Sequence, residues 1–444
     1  MAATRGNLLE ASFHPPSHPS SATRRRPNWI LLDALAYISD QENATTALYH
    51  RRDKDQPIKV TCCLAPPPHV SYLCIHCPGL DPAKFATEPT ILYAEDRFVL
   101  LRVPIGTTSC RDIPICNDFF IYQGRSRSSP PSLRLLPNPG RIAFSDNEIG
   151  ILPRCTHKGV TYVLAVLHPI FQRCGGYNLH LLNDETGEWS SRVVDVHPPT
   201  PQVNSFCIHK VITIGGKSGY MGWVDLWRGI LVCGVLRKNP VLQFIPFPTP
   251  IIHDVSGLGP PKTCRDVTVV DGLIKYIEMH DATWEGTSWT VTTWSCKFDD
   301  SWDWQAECSF DVHGVVMNGQ DDVKLLTSLN DSEDTVPALC RLCIGAPAMS
   351  LENDSFVYFM AKVDIWEKEA WMLAVDVRNR VVQVQGVAEF RAERTLGLDR
   401  AYLQSGISKY LNFEWSMKSK KDAAESRDEL ARAAKQEVSK LNGN

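Results

Sequence analysis

Between residues 222 and 248, apolar and β-branched residues fall into three short runs cut by turn residues. The runs are residues 223–226, 230–236 and 241–245; Trp227-Arg228-Gly229 and residues 237–240 separate them. Runs of about four to eight such residues between Gly, Pro and Asn predict buried strands. The middle run carries Ile230, Leu231, Val232, Val235 and Leu236. Both of its faces are apolar, so it is expected to be an inner, fully buried strand. Trp223 and Trp227 are then expected to serve the core, and Arg228 to stack on an indole or pair with Asp225. A meander this small cannot bury two faces alone and needs neighbours like itself.

The rest of the chain supplies them. Residues 70–76, 91–103, 119–122, 148–152 and 161–167 read as strands. Residues 177–182 and 189–194 flank Asn183-Asp184-Glu185-Thr186-Gly187, a hairpin loop opened by Asn and Asp and closed by Gly. The same pattern recurs where residues 371–375 and 381–385 flank Arg378-Asn379-Arg380, and where Asp271-Gly272 leads into residues 273–279. Thr290, Thr292, Trp294, Cys296 and Phe298 alternate along residues 288–298, a period of two that predicts a strand. No helix longer than three turns is predicted before residue 413. Strand pairs recurring in units of roughly 45–55 residues predict an all-β fold, an irregular β-propeller-like domain of about six to eight small blades. A pair of β-sandwiches is the alternative.

The ends differ from this middle. Residues 1–27 are rich in Ser, Pro, His and Arg, end in Arg24-Arg25-Arg26-Pro27, and are expected to be a disordered tail. An organellar transit peptide and a nuclear localisation patch are the functional readings of that tail. The domain is expected to span residues 28–413. Residues 414–444 are dominated by Ala, Glu, Lys and Arg, with Leu430, Ala434, Val438 and Leu441 on one thin stripe, and predict a short polar C-terminal helix.

Composition narrows the function classes. The 444 residues are 43% apolar and 22% charged with a formal net charge of −4, which gives no basic surface for nucleic acid. The longest apolar runs fall well short of the ~20 residues of a membrane helix. Fifteen cysteines, an odd number without regular spacing or a preceding apolar signal segment, read as reduced thiols of a cytoplasmic or nuclear protein. The sequons at Asn43, Asn330 and Asn353 are then coincidental.

Candidate chemistry is sparse. Cys74-Ile75-His76-Cys77 and Cys340-Arg341-Leu342-Cys343 have zinc-ligand spacing. Residues i and i+3 of a strand point to opposite faces, however, and the pairs lie far apart, so no metal is expected. Gly215-Gly216-Lys217-Ser218 lacks the first glycine of a P-loop, because Val211 stands in its place, and reads as a loop between strands. Asp299-Asp300-Ser301-Trp302-Asp303-Trp304 is an acidic–aromatic loop that could do acid–base work or stack on sugars. Its simpler reading is a hairpin tip whose tryptophans fold back onto the sheet. His280 and Asp281 form no recognisable triad, and no G-x-S-x-G is present. No catalytic, cofactor-binding or metal residue is assigned.

Several stretches together resemble a plant family, greatly expanded in grasses, of uncharacterised proteins that carry a domain of unknown function. They are Asn28-Trp29-Ile30-Leu31-Leu32-Asp33 with Asn43-Ala44-Thr45-Thr46, residues 70–79, Pro131-Ser132-Leu133-Arg134-Leu135-Leu136-Pro137, and above all residues 222–231. The resemblance covers about residues 28–413. The family is similar to the propeller domains of F-box-associated and kelch-like proteins. No leucine-rich F-box precedes residue 28, so a ubiquitin-ligase role is not implied, and the family implies no activity, cofactor or catalytic residue. Two functions follow as expectations: a non-catalytic protein-interaction scaffold whose loops take a protein or peptide, or a carbohydrate-binding or hydrolytic propeller using the loop from Asp299 to Trp304. No nucleic-acid or membrane partner is expected.

Overall fold

The computed structural model describes residues 4–5, 8–17, 26–50, 57–105, 117–126, 129–157, 159–171, 173–248, 259–280, 289–298, 302–317, 338–352, 356–377, 382–394, 397–398 and 402–411. Within them the chain forms six sheets of four to six strands, each with its own innermost strand, arranged as a six-bladed β-propeller, and a two-stranded sheet of Thr4–Arg5 with Leu8–Leu9. The C-terminal helix expected over 414–444, the turn at Arg378-Asn379-Arg380, the sequons at Asn330 and Asn353, and Asp281, Asp299 and Asp300 lie outside the described residues.

Five blades are antiparallel meanders in chain order. Blade one runs Thr90–Glu95, Phe98–Pro104, Asn117–Gln123 and Ser132–Leu135. Blade two runs Ile149–Thr156, Gly159–Pro169, Gly176–Asn183 and Glu188–Asp195. Blade three, the stretch first picked out in the sequence, runs Lys210–Gly215, Tyr220–Asp225, Gly229–Gly234 and Leu242–Pro246. Blade four runs Arg265–Val270, Leu273–His280, Thr290–Lys297 and Trp304–Asp311. Blade five runs Cys343–Met349, Phe356–Lys362, Glu369–Asp376 and Val382–Arg391, with Val315–Met317 added in parallel at its outer edge.

Blade six closes the ring with both ends of the domain. Tyr402–Ser405 is its inner strand and pairs antiparallel with Ile30–Asp33, followed by Val70–His76, Pro57–Cys63 and Ala47–His50. Full closure removes the exposed edges an open stack of blades would leave. Arg394, in the segment leading out of blade five, fastens the joint. It donates to the Asp33 carboxylate at 2.5 Å and to the carbonyls of Leu35 and Ala36 at 3.0 Å, and it lies over the Tyr37 ring.

The core follows from strand alternation. A strand between two blades presents residues i and i+2 to one neighbour and i+1 and i+3 to the other. In Gly229–Gly234, Leu231 and Cys233 join the cluster shared with blade two, while Ile230 and Val232 join the cluster shared with blade four. Six such clusters fill the six gaps around the ring. Side chains also tie blades directly: Trp223 Nε1 donates to the carbonyl of Glu148 at 2.8 Å, and the Tyr122 hydroxyl to that of Thr45 at 2.7 Å.

Several boundaries moved. Residues 91–103 are two strands, because Glu95-Asp96-Arg97 turns the chain, with Asp96 at φ 52° in the left-handed region that Asp tolerates. The alternation read over 288–298 breaks at a bulge between Thr293 and Trp294: Val291 and Thr293 are buried before it and Cys296 after it. The extra residue is Glu307 on the partner strand Trp304–Asp311, which is skipped in the pairing between Cys308 and Ala306. The run read as residues 230–236 ends as a strand at Gly234, and Leu236 is only half-buried.

The N-terminal tail also departs from expectation over part of its length. Leu8 is fully buried in the cluster between blades six and one, and Ser12 is buried and donates to Glu88 at 3.0 Å. The Tyr72 hydroxyl holds the carbonyl of Pro16 at 2.7 Å. Composition averaged over 27 residues hid Leu8-Leu9 and Phe13, a few apolar side chains that suffice when a cluster between blades is open to receive them.

Candidate functional site

The first strands of the blades, with Tyr402–Ser405 in the sixth, converge on the propeller axis. They enclose a cavity of about 420 Å³ lined by residues from five blades and by Asp146 and Asn147, which lead into blade two. Each first strand has a blade on either side but only the axis in front of it, so the axis is where polar side chains can stand. The strand Lys210–Gly215 is accordingly less buried than Gly229–Gly234 in the same blade.

At the mouth where the inner strands begin, Lys210, Asp266 and Gln404 meet from blades three, four and six. Lys210 Nζ donates to Asp266 Oδ1 at 2.7 Å and to Gln404 Oε1 at 3.4 Å, and Gln404 Nε2 donates to Asp266 Oδ2 at 2.8 Å. The three form a closed strut across the channel, each polar group satisfied by the other two. Beside it, Lys262 donates to Asn147 at 3.2 Å, and Asp146 accepts from Arg102 at 2.8 Å. Arg265, also in the lining, donates to the carbonyl of Leu226 at 3.1 Å and lies 4.7 Å over the Trp227 ring.

Toward the other end stand Glu95, Asp96, Thr213, Asp271, Lys409 and Tyr410. Burial pushes the Glu95 carboxyl up to about 8, helped by the neighbouring Asp96 charge and opposed by Lys409. A carboxyl whose folded value lies above its unfolded one stabilises the fold most below the unfolded value, and that contribution is lost as pH rises through the folded value. Native stability should therefore fall between about pH 4.5 and pH 8. Glu95→Gln should flatten that slope, raising the melting temperature at pH 8 relative to pH 5; an unchanged slope in the variant would remove Glu95 as its cause.

The residues singled out in the sequence are dispersed. Trp223 is fully buried and Trp227 is 8% exposed, so both serve the core. Arg228 pairs with Asp225 at 2.9 Å, one of its two expected roles, and the cation over the Trp227 indole is Arg265. Trp302 sets its ring edge-on to Phe298. Trp304 packs edge-on against Phe247 and Tyr276 and donates to the carbonyl of Pro246 at 2.9 Å. Gly215 and Gly216, at φ 87° and 74°, turn the chain between two strands of blade three. Cys74 packs with Tyr37 and Tyr72, Cys77 joins the cluster between blades six and one, and Cys340 the cluster between blades four and five. Among the described residues no group of three or more His, Cys, Asp or Glu side chains could hold a metal ion, and no described helix is long and apolar enough to cross a membrane.

Sequence reasoning missed Lys210, Asp266, Gln404 and Glu95. Their signal is faint: an isolated polar residue in the first strand of a unit, flanked by β-branched residues, as in Lys210-Val211-Ile212-Thr213 and Arg265-Asp266-Val267-Thr268.

A family described as "Protein of unknown function (DUF1618)" matches residues 223–358. That span runs from blade three into blade five. No curated protein matches the chain. Among solved structures, a Bombyx mori GH32 beta-fructofuranosidase mutant in complex with sucrose aligns at 8% identity and a TM-score of 0.25, covering 67% of this chain and 62% of that one. The full-length beta-fructofuranosidase from Microbacterium saccharophilum K-1 aligns at 9% identity and a TM-score of 0.16, covering 89% of this chain and 66% of that one. The chain thus spans less than two thirds of the length of either enzyme, and likenesses this weak carry no argument about activity.

Proposed function

We propose that the protein is a non-catalytic interaction scaffold that takes a protein or peptide on the face holding the Lys210–Asp266–Gln404 mouth. The observation that carries this reading is the exposure of two large aromatic residues on loops of that face. In an antiparallel meander alternate connections lie at opposite ends, so the loops between second and third strands share a face with the starts of the inner strands. Phe171 lies in that loop of blade two and is 91% exposed; Trp366 lies in that loop of blade five and is 74% exposed. Aromatic side chains held on loops of a rigid ring suit protein recognition. The charged groups at the mouth are bonded to one another rather than arranged around an activated nucleophile.

The carbohydrate reading has less support, because Trp302 and Trp304 pack onto the sheet rather than offering a free ring face. A reducing compartment, cytoplasm or nucleus, fits thirteen free thiols among the described residues and the family resemblance. The test is affinity capture with the full chain and with a Phe171→Ser/Trp366→Ser variant, compared by quantitative mass spectrometry. Both positions are exposed, so the melting temperature should hold while a defined set of proteins is lost. Identical capture by the two forms would reject this face, and hydrolysis of a glycoside by the purified chain, abolished by Glu95→Gln, would replace the scaffold with an enzyme.

A further inference from the structure

We propose that Cys63 and Cys74 form a reversible disulfide pair on the outer side of blade six, a modification site in which Cys63 attacks and Cys74 resolves. The two residues sit on neighbouring antiparallel strands whose register sets Cys63 opposite Tyr72 and Thr61 opposite Cys74. Cys63 and Cys74 are therefore diagonal neighbours on one face of the sheet. Cys62 points to the opposite face, into the cluster shared with blade one. Both thiols converge on one acceptor, Gln41 Oε1, at 3.2 Å from Cys63 and 3.8 Å from Cys74, and Cys63 packs against the cluster that holds Cys74. Tyr37 and Tyr72 enclose Cys74, while Cys63 stands half-exposed at the edge of that cluster.

The asymmetry assigns the roles. Hydrogen bonding from Cys74 and Tyr72 favours the Cys63 thiolate and holds its thiol below the ordinary value; Cys74 is pushed up, first by hydrogen bonding to Cys63 and then by burial. A thiolate within reach of solvent is the attacking species in thiol–disulfide exchange. With oxidised glutathione as the oxidant, the Cys63 thiolate attacks one glutathione sulfur. The glutathione S–S bond breaks, one glutathione leaves as a thiolate and takes up a proton, and a mixed disulfide remains on Cys63. Cys74 gives up its proton and attacks the Cys63 sulfur, expelling the second glutathione. Two protein thiols become one disulfide, and the two electrons and two protons end on two reduced glutathiones.

The test treats the reduced full-length protein with oxidised glutathione, alkylates the remaining thiols and maps linkages by mass spectrometry. The expected product is a Cys63–Cys74 link two hydrogens lighter than the dithiol and free of glutathione. Cys155 and Cys174, both exposed, serve as internal controls for reactivity that follows exposure alone. Cys74→Ser should trap glutathione on Cys63, and Cys63→Ser should leave Cys74 free to alkylate after denaturation. A lasting glutathione adduct on wild-type Cys63, a link from Cys62 instead, or modification confined to Cys155 and Cys174 would each overturn the proposal. The wild-type map decides the matter even if a serine variant folds poorly.

Discussion

Leu231→Ala is expected to cost about 2–5 kcal/mol of folding free energy, the usual range for deleting a large buried side chain. Leu231 is fully buried in the gap between blades two and three. It stands opposite Trp223 on one neighbouring strand and Phe244 on the other. Neither neighbour can easily collapse into the space, because the Trp223 indole is held by its bond to the Glu148 carbonyl. The cavity should therefore persist, which places the cost toward the upper part of the range. Leu236→Ala is the contrast: it lies past the end of the strand, half-buried, and should cost distinctly less. Denaturant unfolding of both variants checks the pair; equal losses, or an unchanged Leu231→Ala midpoint, would reject the two-sided burial of this strand.

Asp225→Ala should be at least as damaging, by about 3–5 kcal/mol, because it breaks a buried ion pair from one side. The Asp225 carboxylate is fully buried. It accepts from Arg228 Nη1 at 2.9 Å, from the Trp227 N–H at 2.9 Å and from the Cys207 N–H at 2.9 Å. Removing it strands the Arg228 guanidinium, itself 5% exposed, together with two backbone donors. An unpaired buried charge costs far more than the net worth of the pair. Arg228→Met added to Asp225→Asn should recover part of the loss, since two neutral residues leave no orphaned charge. Strict additivity of the two substitutions would show that the pair is not coupled.

This pair also marks where the sequence was legible. The Asp225…Arg228 spacing across a turn suggested the contact, because both residues sit at the ends of strands that local pattern alone defines. The strand pattern sufficed for the all-β class and the propeller, since apolar residues on both faces of a strand mean covers on both sides. The Asn183–Gly187 and Asp271-Gly272 hairpins were legible for the same local reason: Asp271 and Gly272 adopt φ of 50° and 78°, which their residue types allow.

What the residues could not show is anything set by the closing of the ring. The run of blade three expected to be an inner, fully buried strand is fully buried and lies third from the axis, while the strand that lines the axis is Lys210–Gly215. The physical reason is that middle strands have apolar neighbours on both faces, whereas an axial strand must also face a polar cavity. Lys210, Asp266 and Gln404 meet only because blade six, built from both ends of the domain, closes the ring and faces blades three and four across the axis. No periodicity in a chain links positions 138 and 194 residues apart. Leu8 was unreadable for the same reason, its burial depending on a gap between blades that exists only after the ring has closed. The sequence by itself determined the strands, their two-faced burial and the blade architecture; tertiary structure alone decided which polar residues stand together at the axis.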